Sequence, residues 1–219
     1  MENELFVFGV LAILGASTVA IADMFLLGSP ISCKEFRAKG IDVLLTVSPR
    51  NMFIGHTLGV LALPLYLFGI MQIYRALEPA GAFHALPPVM IMIYMIVVGA
   101  AAHACFAFVG GAMQLQQRED GAGEQSAEEM VRQHKRLLYP LFGAYIAGLI
   151  VSSIWFGVVV WTQPTLYPKW MAFTNPFVLF ISFGLLERLL PAPVGGYVRP
   201  ANGNICFAVF FGISTIALT

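Results

Sequence analysis

Charge is what this sequence has least of. Only 11% of its 219 residues are Asp, Glu, Lys or Arg, against about 25% in soluble domains. Twelve cations balance twelve anions. No global field draws a polyanion, and no basic stretch is interleaved with aromatics, so nucleic acid is excluded as a partner. Cysteine is scarce too. Cys33, Cys105 and Cys206 form no CxxC pair and have no metal-type spacing, which excludes a disulfide framework and a zinc knuckle. HxxxH and HExxH pairs are missing, and no internal repeat is visible.

What fills the sequence instead is apolar: 58% of the residues are hydrophobic, and the mean hydropathy is +0.80. This composition belongs to an integral membrane protein, so lipid is the solvent to reason with. Ala20-Ile21-Ala22 resembles a signal-peptide cleavage site, but the start MENEL is acidic where a signal needs positive charge. The first segment therefore reads as a retained helix.

Apolar runs near 4–27, 52–75, 86–110, 137–161, 168–190 and 203–219 approach or exceed the roughly 20 residues that a spanning helix needs. They predict an all-α bundle of six transmembrane helices in a single transmembrane domain over 1–219. The fifth run is interrupted by Asn175-Pro176, either an N-cap with a first-turn proline or a kink. The sixth is short and ends with the chain, as a truncated span would. Ser48-Pro49 predicts the start of the second helix. Ser126 and Glu129 predict a capping box before the fourth, with Glu128 and Arg132 as an i,i+4 pair. Pro87-Pro88 and His84 are expected in an outer loop. GIDVLLTV, within 28–50, is too short to span and too apolar to float free, which suggests an interfacial segment.

Orientation follows from the cations. Ten of the twelve, from Lys34 to Arg199, fall in the connections after runs 1, 3 and 5; only Arg75 and Lys169 fall on the opposite side. The positive-inside rule then puts both termini outside, in a plasma membrane of bacterial inner-membrane type. Trp161, Tyr167 and Trp170 fit an aromatic belt at the outer surface. His134, in RQHKR, belongs to the cytoplasmic interface, where membrane lipids supply anionic headgroups.

In this orientation three ionisable residues share one layer on the cytoplasmic side. At 1.5 Å per residue, Asp23 lies about 6 Å deep, His56 about 7 Å and His103 about 10 Å. Asp23 shares a stripe with Ala12, Ala16 and Ala20, and His103 shares one with Gly99, Ala107 and Gly110, so both point into the bundle. His56 has Gly59 one turn above it. Thr57, Tyr145, Asn202 and Asn204 are further polar candidates at similar depth.

Buried ionisable groups in membranes are functional candidates by default. An Asp and two His suit a divalent metal with an open position, and so a metal-dependent hydrolase acting on a lipid or other hydrophobic small molecule. Alkaline ceramidases and the progestin-and-adipoQ receptors use comparable groups, but their paired HxxxH has no counterpart here. His56 and His103 alone suit bis-histidine haem b. Without a metal, the set suits a proton relay in a small proton-coupled transporter. A non-catalytic membrane subunit, in which Asp23 and His103 merely tie helices together, is the plainest alternative.

Two stretches, NMFIGHTLGVLALPLY and RPANGNICFAVFF, resemble a family of uncharacterised bacterial six-span membrane proteins. The resemblance implies six helices and no activity. It singles out His56 and Asn204, which lie in those stretches.

Overall fold

The computed structural model describes residues 2–219. The chain is all helical, with no strand among the described residues. Its helices are α1 (Glu2–Leu27), α2 (Cys33–Lys39), α3 (Pro49–Ala62), α4 (Tyr66–Leu77), α5 (Ala82–Gln116), α6 (Ala122–Thr162), α7 (Pro176–Leu186) and α8 (Val194–Leu218). α3 and α4 join through a short 3₁₀ turn at Leu63–Leu65 and count as one apolar rod, so among the described residues five segments are long and apolar enough to cross a membrane.

Local chemistry explains most boundaries. The Ser48 side chain accepts the Asn51 N–H, and Pro49 occupies the first turn of α3. Ser32 and Glu35 form a reciprocal capping box on α2. Asn175 accepts the Val178 N–H with its Oδ1 and donates from Nδ2 to the Ala172 carbonyl, fixing the start of α7 at Pro176. The 168–190 run is thus not one helix. It is a 3₁₀ turn at Lys169–Phe173, the capped α7, and a second 3₁₀ turn at Glu187–Leu189. Lys169 is held by the carbonyls of Val160 and Gln163, each 2.9 Å away, at the C-terminus of α6.

Other expectations shift. α8 begins at Val194 and has 25 residues, so the last helix is not short. Arg199, Pro200, Asn202 and Asn204 interrupt the hydropathy of the run without breaking the helix. α6 starts at Ala122, ahead of the anticipated cap. Ser126 is therefore inside the helix and donates to the Ala122 carbonyl. Arg132 pairs with Glu129 rather than with Glu128. Pro87 and Pro88 lie within α5, and His84 is in its first turn, with Nδ1 3.0 Å from the Ala80 carbonyl. The GIDVLLTV segment folds as a 3₁₀ turn, Gly40–Leu45, against α5. Gln114 donates to the carbonyls of Leu44 and Val47 and holds it there.

α1 is the central staff: it packs against α8, α3 and α4. Glycines permit the contact. A β-carbon on Gly55 would meet the α1 backbone at Ala22 and Leu26, and one on Gly69 would meet Phe211 and Ala12. α6 packs along α5 and only sparsely against α8. The two chain ends meet at one end of the bundle, where Gln72 donates to the Leu5 carbonyl and to Thr215. Ser214 donates to Gln72, and Tyr167 bonds to Ser214 at 2.7 Å. At the other end Glu187 is held by Arg37 and Arg199. The core between holds Phe156, Phe210 and Phe211 in edge-on and tilted contact. Outward-facing Phe53, Leu61, Val97 and Leu189 are 65–81% exposed, an apolar coat that suits lipid and would be an aggregation liability in water.

Replacing Asn175 by Ala removes the α7 cap and is expected to cost about 1 kcal/mol. Thermal unfolding in detergent should show a lower Tm; an unchanged Tm would mean that α7 is positioned by packing alone.

Candidate functional site

The site is a chain of polar groups across five helices. Asp23 on α1 is 7% exposed, and its Oδ1 stands 3.3 Å from Nδ1 of His103 on α5, also 7% exposed. Its Oδ2 accepts from Nδ2 of Asn204 on α8 at 2.6 Å. The Asn204 Oδ1 in turn accepts from the hydroxyl of Tyr66, at the start of α4. Nε2 of His103 lies 3.1 Å from the carbonyl oxygen of Gly55 on α3. Gly59 makes room for the ring, because a β-carbon there would overlap it.

The proton inventory follows from these contacts. A neutral imidazole has one N–H and one lone pair, yet both His103 nitrogens face oxygen acceptors. Without a proton between Nδ1 and Asp23, two lone pairs would oppose each other in a buried site. The pair is therefore either imidazolium with carboxylate, or imidazole with carboxylic acid. Its net charge is zero in both forms, which is what a low-dielectric setting favours.

His56 takes no part. Gly55 and Gly59 carry the face of α3 that turns to α1 and His103, and His56 lies about 100° round from Gly55. Its ring packs on Phe108 at 6.0 Å, and Phe108 packs on His134 at 5.9 Å. The expected trio of Asp23, His56 and His103 is thus a pair and an outlying ring. Among the described residues no three His, Cys, Asp or Glu side chains converge as a metal would need. Both His103 nitrogens already face protein acceptors, so the donor set fits neither a three-ligand metal nor a bis-histidine haem. Thr57, half-buried beside His56, has no side-chain hydrogen bond among the described residues and does not line the cavity described next.

A cavity of about 410 Å³ opens beside the pair. Asp23, His103, Tyr66, Tyr145, Asn202 and Asn204 line it, as does Arg199 toward the basic end. Along α8 its lining runs from Arg199 to Phe211, about 18 Å at the helical rise. Beyond Tyr66 the lining is apolar, with Ile73, Met92 and Phe211. On α6 it includes Tyr139 and Phe142, which are 58% and 44% exposed. The cavity thus reaches the apolar exterior where α6 and α8 stand apart.

The chain belongs to a family of unknown function, DUF6796, whose pattern matches residues 1–219. No curated protein and no solved structure matches it. The geometry therefore carries the functional reading.

Beside the cavity's basic end, Oε1 of buried Glu187 accepts from Arg37 at 2.9 Å and from Arg199 at 2.8 Å. The Glu187 hydrogen bond raises the pKa of Arg37, on α2, above its ordinary value. Sequence reasoning singles out neither Tyr66 nor Glu187. A mid-bundle tyrosine signals a hydroxyl in need of a partner, which would have found Tyr66. Glu187 carries no signal in sequence, because its partners Arg37 and Arg199 meet it only in the folded chain.

Asp23→Leu leaves His103 without its partner and is expected to destabilise by about 1–3 kcal/mol. The Asp23→Leu, His103→Leu double variant should recover part of that loss. Thermal unfolding of both single variants and the double variant measures the coupling, and strict additivity would show that the two groups do not interact.

Proposed function

We propose that this is a six-crossing membrane protein that takes an amphipathic, lipid-like molecule sideways from the cytoplasmic leaflet into the cavity between α1, α5, α6 and α8. The cavity carries this reading. Its volume falls within the roughly 300–1,000 Å³ of small-molecule sites. It is apolar over most of its length and polar in one band. The gap between α6 and α8, rimmed by Tyr139 and Phe142, supplies a path that never leaves the membrane. Asp23, His103, Asn204 and Tyr145 form the polar band, and the aliphatic part of the ligand lies toward Ile73 and Phe211.

Binding suits this geometry better than hydrolysis. Both Asp23 oxygens and both His103 nitrogens are occupied by protein partners, which leaves no group poised to activate water. Proton-coupled transport is the second reading, supported by the proton that Asp23 and His103 share. It requires substrate-driven proton movement that Asp23→Asn abolishes.

The six crossings rest on contacts. The Leu166 N–H donates to the Ala76 carbonyl near the end of α4 that is close to the chain termini, whereas Glu187 reaches Arg199 at the other end. The segment between makes the fifth crossing without a full-length helix. With the basic end in the cytoplasm, both termini face outward. Cysteines placed at Thr219 and Gly121 test this in intact cells: a membrane-impermeant maleimide should label the first and spare the second. The reverse pattern would invert the topology.

Gly203 faces the cavity with only the Tyr145 hydroxyl near a prospective β-carbon, at 3.9 Å. Gly203→Leu should therefore fill the cavity without disturbing the fold. Wild-type protein in lipid nanodiscs, exposed to chain-diazirine lipid probes, is expected to be labelled at Tyr139, Phe142 or Tyr145, and Gly203→Leu to lose most of that label. Equal labelling of both proteins would remove the proposed binding role.

A further inference from the structure

The polar groups of the cavity are unequally used. Asp23, His103, Asn204 and Tyr66 satisfy one another or the Gly55 carbonyl. What remains is almost entirely donors. Asn202 is 1% exposed, its Oδ1 accepts from the Cys206 thiol, and its Nδ2, buried toward Gly184 of α7, has no partner. Arg199 stands one turn earlier on the same face of α8. Its Nη1 donates to Glu187, and its other N–H groups have no acceptor among the described residues. The Tyr145 hydroxyl is likewise without a hydrogen-bond partner among them.

Charge points the same way. Arg37 and Arg199 share one carboxylate oxygen of Glu187, so the triad keeps one positive charge in excess. Of its members only Arg199 lines the cavity. The Asp23–His103 pair supplies no net opposing charge, because the two groups together carry zero charge.

We infer that the ligand is a single-chain amphipath with an anionic head, a carboxylate or a phosphate monoester, whose oxygens are bound by Arg199. This rests on the binding role proposed above and names its ligand class. An anionic oxygen accepts the donors that the protein leaves open, and a guanidinium recognises either head. A volume of about 410 Å³, low in the range for small-ligand sites, fits one chain rather than two.

The test compares four chain-diazirine C16 probes on protein in zwitterionic-lipid nanodiscs: the fatty acid, the alkyl monophosphate, the alcohol and the trimethylammonium. Label is quantified and mapped by mass spectrometry. The acid or the monophosphate should label the cavity at least about tenfold more tightly than the alcohol, as expected for a charge-assisted contact. The better of the two identifies the head. Arg199→Gln should weaken the anionic probe by about tenfold and leave the alcohol unchanged. Glu187 keeps Arg37 in that variant, so the fold retains its ion pair. Arg37→Gln, which removes the same charge away from the cavity, should have the smaller effect. Equal labelling by all heads, or preference for the cation in the wild type, would overturn the anionic assignment while leaving the binding role intact. Failure of every probe to label the wild-type cavity would overturn both.

Discussion

A carboxylate buried away from water must find its proton or its partner inside the protein, and the fold answers that demand for Asp23. Its two oxygens are met by His103 and Asn204, and those two are met by Gly55 and Tyr66. One polar chain thus spans α1, α5, α8, α3 and α4. Each link is worth little alone, on the order of 1 kcal/mol. Together they fix the rotation of five helices about their axes, because an unpaired member would be stranded in an apolar setting.

Close backbone approach makes the chain possible. Gly55 brings α3 against α1, and Gly59 leaves a recess for the His103 ring. Ala12, Ala16 and Ala22 give α1 a buried face of small side chains. The same economy at the other end seats Gln72 among Leu5, Ser214 and Thr215. Two buried polar centres, one near each end of the bundle, pin α1, α4 and α8 in register, and the aromatic core fills the space between.

The cavity exists because α7 is short. A full-length helix between α6 and α8 would close the gap that Tyr139 and Phe142 border. Instead Asn175 starts α7 partway along the bundle, beside Ser153. The chain descends only from there to Glu187. That residue brings Arg37 and Arg199 together and so sets the charge at the basic end of the cavity. The same segment shapes the opening and supplies the electrostatics behind it.

The sequence by itself determined the helical class, the apolar composition, the caps at Ser48 and Asn175, and the inward facing of Asp23 and His103. All of these are local: they depend on hydropathy, on proline and capping geometry, or on the angle between neighbours on one helix. Sequence could not separate His56 from His103, since both are histidines at similar depth near glycines. That choice was made by which helix lies opposite, because the contact face of α3 passes through Gly55 and Gly59 and leaves His56 turned toward Phe108. The length of α8, the partnership of Tyr66 with Asn204, and the two arginines on Glu187 were likewise decided by tertiary structure. Residues far apart in the chain become partners only once packing sets the depth and rotation of each helix, and no periodicity within a single helix carries that information.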